Sequence, residues 1–164
     1  MPLAGSLERP VSEHVEIERK YVLDAAPALP ADTQCVEIEQ GYLPSRQWEE
    51  RVRRTVRGTD VQHRWTIKVG SGVKRLEFEE EIDAPLFDAL WALTRGRRIR
   101  KRRHVVRTGE LVWEIDEFLD RDLWLAEIEL PDEAQAFDVP AWLEAASPRE
   151  VTESGEYANR KLAR

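Results

Sequence analysis

VEIERKY, residues 15–21, alternates β-branched or aromatic side chains with charged ones. A period of two places successive side chains on opposite faces of an extended chain, so this segment is predicted to be a β-strand. One of its two faces carries three ionisable side chains in a row, Glu16, Glu18 and Lys20. The fold and the function both depend on whether that charged face points toward water or toward an interior that needs it.

The composition limits the class of protein. The 164 residues suit one domain with a substantial core, and a net charge of −7 argues against a nucleic-acid binder that works through a general basic field. Cys35 is the single cysteine, which fits a reducing cytoplasm. No apolar run approaches the roughly 18 residues of a membrane span, and the N-terminus lacks the apolar core of a signal peptide. We predict a cytoplasmic protein with one domain over residues 15–164, preceded by a flexible leader over residues 1–14.

Seven further segments have the composition of strands, and turn residues such as Gly58 and Gly109 separate several of them. They span residues 36–42, 49–56, 63–69, 75–82, 99–108, 111–118 and 123–130. Helices are fewer. Asp83 and Pro85 fit the N-cap and first turn of one helix, and shorter candidates span residues 132–137, 140–146 and 154–164. We therefore predict a mainly β (α+β) fold, a barrel or strongly curved sheet of about eight antiparallel strands with a few helices outside.

Charges of one sign share a face on several of these strands. Acidic pairs occupy positions 16/18, 77/79 and 127/129, and basic pairs occupy positions 51/53 and 101/103. Taken one strand at a time, such a stripe is usually the solvated face opposite an apolar core. Like charges two residues apart repel, however, unless neighbouring strands supply counter-charges. A sheet that curves with its ionic faces inward would collect all these groups in one cavity, and such a cavity requires water or a polyvalent ligand.

The mixture of charges indicates what that ligand is. Paired carboxylates are hard oxygen donors suited to Mg²⁺ or Mn²⁺, and both ions keep waters and phosphate oxygens as their other ligands. Arginine and lysine pairs suit phosphate oxygens, arginine through two-pronged contacts and lysine as a point charge. A site that holds both kinds of group favours metal-assisted phosphoryl chemistry.

The first strand carries a Glu-x-Glu-x-Lys pattern as EIERK at 16–20. The motifs that follow it in order are RVR at 51–53, TIK at 66–68, RLEFE at 75–79, KRR at 101–103, EID at 114–116 and EIE at 127–129. The order of these motifs resembles the triphosphate tunnel metalloenzyme (CYTH) superfamily, in particular its short bacterial single-domain members. QGYL at 40–43 and the ending VTESGEYANRKLA also fit, so the resemblance covers roughly residues 15–164.

The resemblance implies an eight-stranded antiparallel closed barrel that forms a tunnel, and an enzyme that needs Mg²⁺ or Mn²⁺. By position, the metal ligands would be Glu16, Glu18, Glu127 and Glu129. The catalytic residues would be Glu16, Glu18, Lys20, Glu77 and Glu79, of which Glu77 and Glu79 would support the metal or position the attacking water. The substrate-binding residues would be Lys20, Arg51, Arg53, Lys68, Arg75, Lys101, Arg103, Asp116 and Arg160.

The expected activity is hydrolysis of inorganic triphosphate, with a metal-activated water attacking the terminal phosphorus. The same charges would also serve a class IV-type adenylyl cyclase or a thiamine or nucleoside triphosphatase, and a non-catalytic module that binds polyphosphate or nucleotides is a further alternative. We expect a small-molecule triphosphate as the partner, and no nucleic acid or membrane. GRRIRKRRH at 96–104 suggests a nucleic-acid patch, but about half of it belongs to the predicted tunnel face and the rest to a solvated outer face.

Overall fold

The computed structural model of the chain describes residues 17–69 and 76–164, with side chains from residue 77 onward in the second segment. The leader at 1–14 and the predicted site residues Glu16 and Arg75 therefore lie outside the described residues. The strands are β1 Ile17–Leu23, β2 Gln34–Tyr42, β3 Glu49–Arg57, β4 Asp60–Val69, β5 Leu76–Glu81, β6 Arg98–Thr108, β7 Leu111–Phe118, β8 Trp124–Leu130 and β9 Arg149–Glu150. The helices are α1 Ala84–Ala92, α2 Ala141–Glu144, a 3₁₀ turn at Gly155–Tyr157 and α3 Asn159–Leu162.

All the strands belong to one sheet in the order β5-β4-β3-β2-β6-β7-β8-β1-β9, and every neighbouring pair is antiparallel. The prediction of a mainly β fold with few helices is confirmed. The sheet differs from the predicted barrel in one respect: within the described residues, β5 and β9 are its two edges and no hydrogen-bonded strand pair joins them. The extra strand, β9, has two residues and pairs with Tyr21 and Val22 near the end of β1.

Strand register decides which side chains share a face, because residues directly opposite on paired strands point the same way. Lys20 lies opposite Glu127, Glu127 opposite Glu114, and Arg53 opposite Arg64. We call the face that carries these residues the inner face. It includes Thr66 and the charged residues Glu18, Lys20, Glu49, Arg51, Arg53, Arg64, Lys68, Glu77, Glu79, Glu81, Lys101, Arg103, Glu114, Asp116, Glu127 and Glu129.

The outer face of β1, β7 and β8 carries the larger apolar core. Trp113 and Ile128 lie directly opposite each other there, and both are buried. Leu143 of α2 belongs to the same buried cluster, and Phe137 packs edge-on against Trp113 at a ring-centroid distance of 5.8 Å. The chain that follows β8 therefore covers this side of the sheet. Burial of its large side chains supplies a main part of the stability of the fold.

Helix α1 covers the outer face of β3 and β4, and it begins as predicted. The Asp83 side chain accepts a hydrogen bond from the Leu86 N–H at 2.9 Å, which caps the first turn. Phe87 is buried against His63 of β4 at a ring-centroid distance of 4.5 Å. Just after the helix, Thr94 approaches β2 so closely that a Cβ on Gly41 would lie 2.5 Å from its Oγ1. Gly41 is therefore the residue that lets α1 reach the sheet.

Two helix predictions are wrong. Residues 132–137 begin with a turn, in which the Asp132 side chain accepts a hydrogen bond from the Ala134 N–H at 2.7 Å, and continue as irregular chain. Such an aspartate turn competes with a helix. The predicted C-terminal helix is divided at Ala158, whose extended backbone (φ −66°, ψ 134°) separates the 3₁₀ turn from α3. No helix in the described part of the chain is long and apolar enough to cross a membrane.

The C-terminal segment covers one end of the inner face. Val151, Tyr157 and Leu162 pack there against Phe118 and other apolar side chains. The last residue, Arg164, exchanges two backbone hydrogen bonds of 2.9 and 3.1 Å with Arg98 at the start of β6. We call this end the covered end. The opposite end of the sheet, where the β3–β4 turn lies, is called the hairpin end.

Candidate active site

The charged residues of β1 and β8 meet across a direct strand pair. Lys20 Nζ lies 2.8 Å from Glu127 Oε1 and 3.4 Å from Glu18 Oε1. Burial disfavours the ammonium of Lys20, but Glu127 and Glu18 outweigh this effect and raise its pKa. Lys20 is therefore a stable cation. Burial and the nearby Asp116 oppose the ionisation of Glu127, yet Lys20 and the other cations around it still lower its pKa.

A second group lies deeper, between β6 and β7. Arg103 binds both oxygens of Asp116, and Lys101 Nζ lies 2.6 Å from Asp116 Oδ2. Arg103 also reaches Glu114 and, at 3.2 Å, Glu127 Oε2, so it joins this group to the first one. Lys101 and Asp116 are almost fully buried, with side-chain exposures of 2% and 1%. Such a buried ionic group is stable only when every charge has a partner.

The third group lies on β3, β4 and β5 and is centred on Glu79. Arg53 donates to Glu79 Oε2 at 3.1 Å, Thr66 donates to the same oxygen at 3.0 Å, and Arg64 donates to Oε1. Burial would raise the pKa of Glu79, but the hydrogen bond from Arg64 and the charge of Arg53 outweigh it and lower that pKa. Glu79 is therefore ionised, and it binds the guanidinium groups of Arg53 and Arg64.

The fourth group lies toward the covered end. Lys68 Nζ is 2.8 Å from Glu77 Oε2, and Arg51 Nη2 is 3.8 Å from Glu77 Oε1. Tyr42 and Gln40 continue this group on β2, where the Gln40 amide donates to the Tyr42 hydroxyl at 2.6 Å. Burial raises the pKa of Tyr42 to about 12, although Arg51 nearby opposes that shift. The phenol is therefore protonated at neutral pH.

Two donors in these groups lack acceptors. The Nε atoms of Arg51 and Arg53 are buried and have no hydrogen-bond partner among the described residues. Burial, together with the charge of Arg51, also lowers the pKa of Arg53 to about 10. Buried donors without acceptors are costly, and an unpartnered guanidinium donor in an enclosed polar site favours an anionic ligand.

Carboxylates that could hold a metal ion lie at the other side of the inner face. Glu18 and Glu129 are directly opposite each other on β1 and β8. Like charges in that relation repel, and a divalent cation between them would relieve the repulsion. Within the described part of the chain no three acidic, histidine or cysteine side chains form a complete metal site. Mg²⁺ needs only one or two protein carboxylates beside waters and substrate phosphates, so the donor set fits such an ion.

The structure brings together most of the residues that the sequence predicts. Arg160 is an exception, because it lies in α3 and donates to the Ser45 carbonyl at 3.4 Å, outside the four ionic groups. Sequence reasoning missed Arg64, Gln40 and Tyr42 as members of these groups, and it placed Glu114 on the charged face without giving it a role. Arg64 lies two residues before Thr66 on β4, so the alternation that places Thr66 and Lys68 on one face of the strand also places Arg64 there.

Comparison with known proteins agrees with this geometry. The model of the CYTH domain family matches residues 14–164. The chain is 37% identical over 158 residues to a protein named inorganic triphosphatase from Nitrosomonas europaea, an alignment that covers 90% of this chain and 96% of the relative. It is 33% identical over 162 residues to another protein of that name from Acetivibrio thermocellus, covering 91% and 93%.

The fold agrees as well. A crystal structure described as that of an inorganic triphosphatase superposes with a TM-score of 0.66 at 34% identity and covers 90% of this chain and 93% of its own. Triphosphate tunnel metalloenzymes of this kind are metal-dependent. With the family match over nearly the whole chain and the ordered charges on one face of the sheet, the chain belongs to the CYTH domain family.

Proposed function

We propose that this protein hydrolyses inorganic triphosphate on the inner face, with Mg²⁺ or Mn²⁺ as its cofactor. The two relatives named inorganic triphosphatase support this substrate, because each aligns with about nine-tenths of the chain. The observation that carries the proposal is the pair of buried Nε donors on Arg51 and Arg53, which have no acceptor among the described residues. A polyanion of small cross-section supplies acceptors to both.

The cations of the inner face would bind the phosphate chain. They are Lys20, Arg51, Arg53, Lys68, Lys101 and Arg103, with Arg75 proposed on sequence grounds alone. The described ones are held in place by carboxylates, such as Glu77 beside Lys68 and Asp116 beside Arg103. Positive groups fixed in advance stabilise charge that develops in the transition state without reorganising at the moment of reaction. Asp116 acts here by positioning Arg103 and Lys101.

The carboxylates of β1 and β8 would hold the metal ion: Glu16, Glu18, Glu127 and Glu129. Glu18 and Glu129 lie directly opposite each other on β1 and β8, and this placement favours the role. A divalent cation supplies charge neutralisation of the phosphates and lowers the pKa of a bound water. Glu77 and Glu79 would orient the basic residues beside the reacting phosphate and help to position the attacking water.

In the proposed reaction, the water oxygen forms a bond to the terminal phosphorus, and the bond from that phosphorus to the bridging oxygen breaks. The products are orthophosphate and pyrophosphate, and one proton of the water is released to solvent. Lys68 and Arg51 are close enough to each other, through Glu77, to bind one phosphate together and to neutralise charge on its oxygens. We further propose a small-molecule triphosphate as the ligand, without nucleic acid, and a cytoplasmic location.

The decisive experiment measures phosphate release from inorganic triphosphate, ATP and thiamine triphosphate, each with Mg²⁺, Mn²⁺ or a chelator, and assays cyclic AMP in the ATP reactions. We expect metal-dependent release that is fastest from inorganic triphosphate. Glu18→Gln should reduce it at least about tenfold at limiting metal, because one ionic ligand is lost. Glu37→Gln removes an equal charge from an exposed outer-face carboxylate and is the matched control.

Other outcomes would reassign the site. Cyclic AMP formation from ATP would make the protein a cyclase, and faster release from ATP or thiamine triphosphate would change the substrate. Tight binding of triphosphate without turnover of any substrate would make the inner face a receptor for polyphosphate or nucleotides. Activity that survives both the chelator and Glu18→Gln would contradict the proposed metal site.

A further inference from the structure

Helix α1 has an apolar surface that the sheet does not cover. On the side of the helix that faces the sheet, Phe87 is buried against His63 of β4. Leu86 and Leu93, in contrast, are 45% and 56% exposed. Leu93 is the most exposed large apolar side chain in the described part of the chain. The helix therefore has a second apolar surface in addition to the one that packs on β3 and β4.

The exposed leucines belong to one continuous stripe. Residues three, four or seven positions apart lie on the same side of a helix, so Ala89 and Leu90 lie between Leu86 and Leu93. Ala89 is exposed and Leu90 is half-buried. We call Leu86, Ala89, Leu90 and Leu93 the leucine stripe. Single apolar residues are ordinary at a protein surface, but a contiguous apolar stripe on a helix is typical of a protein contact.

The two ends of the leucine stripe carry opposite charges. Glu81 and Asp83, both exposed, lie just before α1. Arg95 and Arg97, also exposed, lie just after it. The Arg97 guanidinium is bound to the carbonyl groups of Tyr42 and Leu93, which fixes it at this end of the helix. The surface thus runs from an acidic end through an apolar centre to a basic end.

We propose that the leucine stripe binds the same stripe of a second copy of this chain, with the two α1 helices antiparallel about a twofold axis. In a twofold contact one surface patch binds itself, so the patch must be complementary to itself. An antiparallel pairing with Leu86 opposite Leu93 of the second copy brings the acidic end of each helix to the basic end of the other. Ala89 then lies near the axis, where a small side chain lets the two helices approach closely.

The charge pattern is what favours a second copy over a different protein. A different partner would need the same sequence of basic, apolar and acidic groups, and this chain already carries it. The contact is small, because a helix of nine residues is only about 14 Å long. Stable dimers usually bury about 800 Å² on each partner. We therefore expect a weak dimer, with a dissociation constant on the order of 10 µM.

Sedimentation velocity of the full chain tests the proposal, over concentrations from about 1 to 200 µM, which bracket that constant. The mass should rise from that of a monomer to that of a dimer. Leu93→Asp should raise the dissociation constant at least about tenfold, because the contact would bury a carboxylate. Leu119→Asp is the matched control, since Leu119 is 39% exposed and follows β7, away from the leucine stripe in sequence. A monomeric wild type, or equal losses in the two variants, would overturn the proposal.

Disulfide cross-linking locates the axis. In a Cys35→Ser background, Ala89→Cys should form a disulfide between two copies under mild oxidation, because thiols near a twofold axis face each other. Asp88→Cys is the control, since Asp88 is also exposed but lies on the other flank of α1, about 150° around the helix axis from the middle of the stripe. Equal cross-linking of both variants, or of Asp88→Cys alone, would contradict the proposed contact.

Charge reversal tests the antiparallel arrangement. Arg95→Glu and Glu81→Lys should each raise the dissociation constant at least about threefold, because like charges then meet at both ends of the contact. An equal mixture of the two variants should form a heterodimer about as tight as the wild-type dimer, since each end again pairs opposite charges. A mixture that associates no better than the separate variants would overturn this arrangement. Thermal melting of each variant shows whether it is folded before it is measured.

Discussion

Arg103 binds Asp116 through both carboxylate oxygens, with Nε–Oδ1 and Nη2–Oδ2 distances of 2.7 and 2.8 Å. Asp116 is 1% exposed, and its second oxygen is also 2.6 Å from Lys101 Nζ. Burial opposes the ionisation of Asp116, but Arg103 and Lys101 outweigh it and hold its pKa below the ordinary value. The Asp116 carboxylate therefore neutralises two neighbouring buried cations, Arg103 and Lys101.

Asp116→Asn should destabilise the protein strongly. Removing one partner of a buried ionic group leaves uncompensated charge, which costs about 3 kcal/mol of unfolding free energy. The measurement is urea denaturation at neutral pH. Asp120→Asn is the matched control, because Asp120 also binds an arginine through two contacts, of 3.0 and 2.6 Å to Arg121, but at the surface. That pair should be worth less than about 1 kcal/mol, and equal losses in the two variants would contradict the argument.

The stability of the wild type should fall in acid. The pKa of Asp116 is lower in the folded protein than in the unfolded chain, so the unfolded chain binds more protons as the pH falls below about 4. The contribution of Asp116 is thus present above that pH and is lost progressively below it. Glu79, whose pKa is also lowered, acts in the same direction.

Urea denaturation at a series of pH values from 7 to acid checks this expectation (about pH 3 is low enough for the unfolded aspartate to be protonated). The curve for Asp116→Asn should lose less stability over this range than the wild type does. Parallel curves for the two proteins would show that other carboxylates determine the acid limit.

Arg53→Lys should raise the KM for triphosphate about tenfold with a smaller change in kcat, because lysine keeps the charge but loses the planar fork that binds phosphate oxygens. The neighbouring Arg54 offers a matched control on the same strand. It points to the outer face, where it pairs with Glu39. Arg54→Lys should leave both constants within about twofold of the wild type, since it does not reach the inner face. Similar effects of the two substitutions would contradict the assignment of faces.

Gly41→Ala should destabilise the fold by about 1–3 kcal/mol, the usual cost of inserting a methyl group into a packed site. The new Cβ would lie 2.5 Å from Thr94 Oγ1 and 2.7 Å from Thr94 Cβ, so α1 or β2 must shift. Thermal melting measures the loss. At Gly155 nothing lies within 4 Å of an added Cβ, and Gly155→Ala is the control. A Gly41→Ala protein as stable as the wild type would show that α1 adjusts at little cost.

The sequence predicted the strands well because alternation is a local property. The charge pairs 51/53 and 101/103 identified a common face without any knowledge of the neighbouring strands, and the structure places both pairs on the inner face. Helix α1 was predicted from its N-cap for the same local reason. The continuous C-terminal helix predicted over residues 154–164 is instead divided at Ala158, and Tyr157 and Leu162 on either side of the division pack against the sheet.

The sequence by itself determined which residues are ionic, which of them alternate, and the order of the motifs that identifies the family. Only the tertiary structure decided which charge neutralises which. Register joins residues far apart in the chain, such as Arg53 with Glu79 and Arg103 with Glu127, and no local pattern contains that information. The roles of Glu79 and Asp116 follow from these pairings, because the energy of a charge depends on its burial and its partners rather than on its place in the sequence.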